Sequence, residues 1–205
     1  MDNKRQRKQN VTFIILKTKN IGEKDKLVFL YTNEFGLLHT IAKNSRKLTS
    51  HFTGKLIPLS CGNAEIYFSP KRILIIEIKS KNIIGDENNL ETIQYTQEIA
   101  HITKIITPEE QKYDNLIELL KTTVFHIRQP LKKNLIFAGF IIKLFELAGL
   151  IPDFKSIDSK TEEKYLKLFH FLKTQKFKEI IKISLTSEEN KYLKSKIQSL
   201  IDRVI

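Results

Sequence analysis

The hydrophobic and polar positions of this chain change period once, near residue 82. Before that point they follow strands. Val11–Lys19 and Lys26–Thr32 are rich in β-branched and aromatic residues, which suit a pleated, half-buried surface. Asn33-Glu34-Phe35-Gly36 reads as a turn, with Gly36 free to take positive φ, and leads into Leu37–Lys43. Ala64, Ile66 and Phe68 alternate with Glu65 and Tyr67, so one face is buried and the other wet. Ser69-Pro70-Lys71-Arg72 is a second tight turn before Ile73–Lys79, where Leu74, Ile76 and Ile78 are expected to share a face. Five strands, with a longer connection at Asn44–Lys55 between the third and fourth, predict a small OB-type barrel. A half-barrel of the SH3 kind has a similar pattern.

After Asn82 the period is helical. Four starts carry the capping-box pattern, in which a small polar side chain and a Glu three residues on satisfy each other's free backbone donors. They are Asn88 with Glu91, Thr107 with Glu110 (Pro108 at the first helical position), Ser159 with Glu162, and Thr186 with Glu189. Apolar stripes run between them: Ile99, Ile102 and Ile106; Leu116, Leu119, Leu120 and Val124; Leu168, Phe169 and Leu172. Leu135–Leu150 is apolar on nearly every side, which predicts a central helix closed by Gly149 and Pro152. The chain is therefore read as α+β: a basic N-terminal extension over residues 1–10, a five-stranded OB-type β-barrel over 11–82 and an all-α helical bundle over 83–205. A polar linker with Gly85 marks the boundary.

Charge sharpens this division. The net charge is +12, from 35 basic and 23 acidic residues. Residues 1–82 hold 16 of the basic and 6 of the acidic residues, so nearly all of the excess belongs to the strand-rich part. A general lysine bias would spread over both parts; this concentration favours a surface for an acidic partner. The apolar run Val11–Leu16 is too short for a signal peptide. Leu135–Ile142 ends at Lys143, far short of the ~20 residues needed to span a bilayer. A soluble cytoplasmic protein without membrane association is expected.

The residue patterns of enzymes are missing. No glycines form a dinucleotide fingerprint; Gly54-Lys55 has Leu56 where a phosphate-binding loop needs Ser or Thr, and Thr49 where it needs the first glycine. Glu98 and His101 have the spacing of half a di-metal site, but no second pair matches them, and an exposed or core-edge histidine is the simpler account. The one cysteine, Cys61, reads as small buried filler. No catalytic residue, cofactor or metal is expected.

The basic residues of the first part fall into three groups: Lys43, Arg46 and Lys47 on the loop after the third strand; Lys17, Lys19, Lys24 and Lys26 around the first turn; and Lys71 and Arg72 at a hairpin tip. Cations suit a phosphate backbone because each contact releases condensed counterions, and Arg46 can offer a bidentate fork. Taken singly, each of these lysines reads as a solvated surface residue. Base stacking needs aromatic partners, for which Tyr31, Phe35, Phe52 and Tyr67 are candidates; alternation turns Tyr67 outward and makes it the first choice, with Phe35 and Phe52 read as buried anchors.

Ile21-Gly22-Glu23-Lys24-Asp25-Lys26-Leu27-Val28 is similar to the Tyr-Gly-Glu-x-Asp-x-Leu-Val stretch of the RecO family of bacterial DNA repair proteins. Phe35-Gly36-Leu37-Leu38 with Ala42-Lys43, the basic loop Ser45-Arg46-Lys47 with Ser50-His51-Phe52, and Gly54-Lys55-Leu56-Ile57-Pro58-Leu59 follow in the family's order and spacing. Leu144–Pro152 resembles its Leu-Leu-x-x-Leu-Gly-Phe-x-Pro. The resemblance implies an OB fold and a helical domain, adds His51 to the DNA-contacting residues, and implies binding of single- and double-stranded DNA and strand annealing. It also implies a RecR-type partner, recombinase loading on DNA coated with single-strand-binding protein, nucleoid association and no cofactor. A basic protein–protein adaptor and an RNA-binding barrel stay open as alternatives.

Three departures stand out. The family's four-cysteine zinc module has no counterpart in Asp153–Ser159, so neither zinc nor a full-length C-terminal region is expected. Its Arg-Phe-Glu in the central helix is Gly139-Phe140-Ile141, which argues against a grip on the acidic tail of single-strand-binding protein there. Arg128, Lys132 and Lys133 are basic nearby, with the capping of helix ends as their expected role. Asn44 stands where the family has glycine, a mild change because Asn tolerates left-handed backbone.

Overall fold

A computed structural model describes residues 8–84, 89–129, 132–150 and 163–205. They form two compact units, one holding the chain to Asp86 together with Ala100–Ile117, the other Glu87–Ile99 together with Glu118–Ile205.

In the first unit, β1 (Lys8–Ile21), β2 (Asp25–Thr32), β3 (Gly36–Ala42), β4 (Ser60–Phe68) and β5 (Ile73–Asn82) close into a barrel in the order β1-β2-β3-β5-β4. The sheet, five-stranded as its alternation predicts, is antiparallel except where β3 meets β5, a parallel seam of only Thr40↔Ile73 and Ile41↔Leu74. β1 is long enough to pair with β4 and β2, and a bulge between Ile15 and Lys17 bends it. Val11, Phe13, Ile15, Val28, Leu30, Leu38, Ala64, Ile66, Ile75 and Ile78 fill the interior, and the β3–β4 connection adds Phe52 and Leu56 as a plug.

One face assignment changes. Ile75 and Ile78 point into the core, while Leu74 is half-buried and Ile76 is 38% exposed. The register slips where Ile66 pairs with Ile75 but Glu65 pairs with Glu77. That bulge inserts one residue and inverts the alternation, so Leu74 and Ile76 do not share the face of Ile78.

The helix α1 (Leu90–Ile106) is capped by Asn89, whose side-chain oxygen accepts the Thr92 N–H at 3.0 Å; Asn88 lies outside the described residues. Thr107 does not start a helix. It ends α1, with its N–H and hydroxyl both donating to the Thr103 carbonyl. Glu110 then takes φ +61 and donates its N–H to Leu37 of β3, where a parallel bridge joins Leu37 to Glu109. The edge of β3 that β5 leaves unpaired thus recruits this segment, and satisfying that edge outweighs a local helix signal.

In the second unit, α3 (Lys133–Leu147) follows α2 (Leu116–Ile127) and packs against α4 (Glu163–Thr174), α5 (Phe177–Ile180) and α6 (Ser187–Val204). All of Leu135–Ile142 is buried, as its unbroken apolar run requires. Gly149, at φ +69, ends α3: its N–H donates to Glu146 and that of Leu150 to Phe145, the paired reverse bonds of a Schellman motif. Pro152 and the start at Ser159 lie outside the described residues. The Thr186–Glu189 capping box forms with both reciprocal bonds, at 3.2 and 2.9 Å.

Candidate nucleic-acid interface

Two of the three basic groups meet at one end of the barrel. Beyond Lys43, Asn44 takes φ +54 and turns the chain back over the β1–β2 turn. Its N–H donates to the Asp25 carboxylate at 2.7 Å, the Arg46 N–H to the Lys24 carbonyl at 3.0 Å, and the Arg46 guanidinium to the Gly22 carbonyl at 2.7 Å. Left-handed backbone at position 44 explains why glycine or asparagine suits it. Lys24, Lys43, Arg46 and Lys47 therefore stand together, exposed, on a loop docked to the barrel rather than free of it. Half-buried Lys26 lies beside them, paired with Ala42. A guanidinium carries five N–H groups, so Arg46 can hold the loop with one of them without using the rest.

Lys17 and Lys19 point outward from β1, opposite Phe29 and Leu27 of β2. The outer face of β2 and β3, where OB folds commonly take nucleic acid, is divided. Its upper half is covered from within the same unit. The Lys104 ammonium lies 4.9 Å from the centre of the Phe29 ring, and His39 Nδ1 is 3.1 Å from a Glu109 carboxylate oxygen. Tyr31 is fully buried; its hydroxyl accepts the Tyr113 N–H at 2.5 Å and donates to the Tyr113 carbonyl at 3.2 Å. Burial, first of all, raises the pKa of that phenol. Tyr31 is thus a structural clamp and not a stacking partner, because a residue 82 positions away closes over it.

The lower half stays open as a row of outward neighbours, Lys19, Leu27, Ile41, Leu74 and Tyr67, the last four half-buried. Tyr67 points outward as its alternation predicts, but it ends this row four strands from Lys19, about 19 Å around the curved sheet at ordinary strand spacing. Its other neighbour is Lys8 of β1, whose ammonium pairs with Glu65 at 2.8 Å. Lys71 and Arg72 are exposed on a tip closed by Ser69, whose hydroxyl donates to the Arg72 carbonyl and accepts its N–H. The tip enters β5 beside Thr40, about 10 Å back along β3 from Lys43. His51 is exposed on the β3–β4 connection, with its ring 3.9 Å from that of buried Phe52; Phe35 packs edge-on to Phe68 at 5.1 Å against the core.

Sequence patterning gives no hint of two features here: Lys104 and Glu109 closing the upper face, and Leu48, fully exposed among the cations of the basic loop. Elsewhere, Cys61 is buried, and no group of three His, Cys, Asp or Glu residues among those described is placed to hold a metal ion. In the helical unit Lys132 donates to the carbonyls of Ile181 and Ile183, and Lys133 to that of Gln129, so both satisfy chain ends left open after helices. Gly139 is buried where a Cβ would lie 3.1 Å from Ile180 Cδ1 and 3.4 Å from Phe177 Cε1, leaving no room there for a basic side chain. No described helix is long and apolar enough to cross a membrane.

Comparison with known proteins bears on this geometry. Residues 7–78, essentially the barrel, match the family model described as Recombination protein O N terminal. The chain is 30% identical over 162 residues to the DNA repair protein RecO of a Thermoanaerobacter species, an alignment covering 76% of this chain and 64% of that protein. It is 27% identical over 147 residues to the RecO of Thermodesulfovibrio yellowstonii (70% and 58%) and 31% identical over 143 residues to that of Syntrophobacter fumaroxidans (68% and 56%). The chain thus spans about three-fifths of the length of the curated relatives it matches. The barrel thus matches the N-terminal domain of the RecO family, and the chain is similar to DNA repair proteins of that family.

Proposed function

We propose that this protein acts in DNA repair by holding DNA at the Lys24/Lys43/Lys47 end of its barrel, annealing complementary strands and assisting recombinase loading on single-stranded DNA. The carrying observation is the docking of the basic loop onto the first turn, which turns two separate basic segments into one cationic surface. Fixed cations on a rigid support grip a polyanion with little ordering on binding. Lys17, Lys19, Lys26 and His51 extend that surface; Lys71 with Arg72, and Tyr67, border the open row of the sheet from its other side. No covalent step is proposed, because the site assembles cations and no nucleophile with a neighbouring base.

A RecR-type protein and the tail of single-strand-binding protein are the partners that the family suggests. For the tail, Gly139 under Phe177 and Ile180 offers no cation, and Lys132 and Lys133 are committed to carbonyls. We therefore expect annealing of bare strands to exceed annealing of strands coated with single-strand-binding protein. The test follows hybridisation of complementary oligonucleotides, bare and coated, with binding of single-stranded DNA, duplex and RNA measured in one salt titration. Acceleration of bare strands with preference for DNA supports the reading. No affinity for any nucleic acid would leave a protein–protein adaptor, and preference for RNA would reassign the surface.

A further inference from the structure

Leu48 is the one large apolar side chain among the described residues that is completely exposed; the next are Leu90 at 68% and Phe125 at 62%. Its position is not a matter of loose chain. On one side Ser45 is buried and Asn44 and Arg46 are bonded to the first turn; on the other, Phe52 is buried in the barrel core. Between these anchors the Lys47 N–H donates to Asn44 and the Ser50 N–H to Lys47, tight turns that leave no slack for Leu48 to fold back. Lys43, Arg46 and Lys47 precede it on the loop, and the Arg46 N–H ties that loop to Lys24.

An apolar knob inside a cluster of cations fits a ligand that carries anions and flat apolar faces at the same spacing. Unpaired single-stranded DNA is such a ligand: its phosphates meet the lysines while its bases, free of a stack, can lie on a side chain. A duplex fits less well, because its base faces are stacked on one another and only their edges are open, at the floor of the grooves between the phosphates. Hydrocarbon insertion into an anionic bilayer is the competing use, but a single leucine supplies little of the apolar area that a stable anchor needs. We propose that Leu48 is a base-contacting residue, which gives the cationic end of the barrel its preference for single-stranded over duplex DNA. This inference rests on the DNA-binding reading above.

The chain has no tryptophan, so Leu48→Trp installs a single reporter. Quenching of that tryptophan by single-stranded oligonucleotide, and not by duplex, is expected. In parallel, Leu48→Ser should weaken single-strand binding about fivefold, with its salt slope and duplex affinity unchanged, because no cation is lost. The variant carrying Lys24→Gln, Lys43→Gln and Lys47→Gln separates the two levels. If it loses DNA binding while Leu48→Ser binds like the parent and the tryptophan is not quenched, the leucine proposal falls and the cationic surface stands. If it binds DNA normally, the underlying reading falls as well. Stronger quenching by phosphatidylglycerol vesicles than by oligonucleotide at equal salt would overturn the proposal in favour of a membrane contact.

Discussion

Removing Lys24, Lys43 and Lys47 together tests the cationic surface most directly. All three are exposed, and none forms an ion pair with a described residue, so glutamine at each position removes a charge without orphaning a partner. The bonds that dock the loop involve the backbones of Lys24 and Asn44, the Asp25 carboxylate and Arg46, so they survive. An Arg46→Ala variant would not be as clean, because it also deletes the bond to Gly22 that holds the loop. Each phosphate contact on a single strand contributes about 0.7 to the slope of log affinity against log salt, so three contacts contribute about 2. Extrapolated from 1 M, that is about 100-fold in affinity at 0.1 M salt and about 30-fold at 0.2 M. Anisotropy of a labelled mixed-sequence oligonucleotide across a salt series measures both quantities, with a melting curve to show that the fold is intact. A slope unchanged and an affinity within twofold of the parent would refute the assignment. So would a loss that depends on base sequence, since phosphate contacts carry none.

Other consequences concern the scaffold. Gly36 combines φ +68 with a position where a Cβ would sit 2.2 Å from the Gln111 carbonyl oxygen. Gly36→Ala should therefore cost about 3 kcal/mol, from left-handed strain and displacement of the covering segment. Thermal melting should then fall by about 6–12 °C; a shift under about 1 °C would show that the contact is not held in solution. Gly139→Arg, which installs the residue of the family pattern, should destabilise by about 3 kcal/mol or more by driving an unpaired charge against Phe177 and Ile180, whereas a variant melting like the parent would mean that α5 packs elsewhere. Burial against the Phe125 and Phe177 rings lowers the pKa of His126 from its ordinary 6.5. The unfolded chain thus takes up the proton first: the contribution of neutral His126 is full above about pH 6.5 and is lost as pH falls through the folded value. His126→Gln should flatten the decline in melting temperature over that acid range, and an unaltered decline would assign it to other groups.

What the amino-acid sequence determined by itself is local. Alternation in Ala64–Phe68, the turn at Gly36, the left-handed tolerance of Asn44, the buried run Leu135–Ile142 and the Thr186–Glu189 box all depend on residues within a few positions of one another, and each has its expected form. Tertiary structure decided whatever rests on distant pairing. A bulge against β4 inverted the face of Leu74 and Ile76; the free edge of β3 drew in Glu109 and Glu110 and cancelled a helix start at Thr107. Tyr31 became a clamp because Tyr113 arrived over it. The cationic end itself exists because Arg46 reaches Gly22, 24 residues earlier. Periodicity records which side of an element faces the core, but which elements meet is set by backbone groups seeking partners across the chain, and that information is spread over residues that no single window contains.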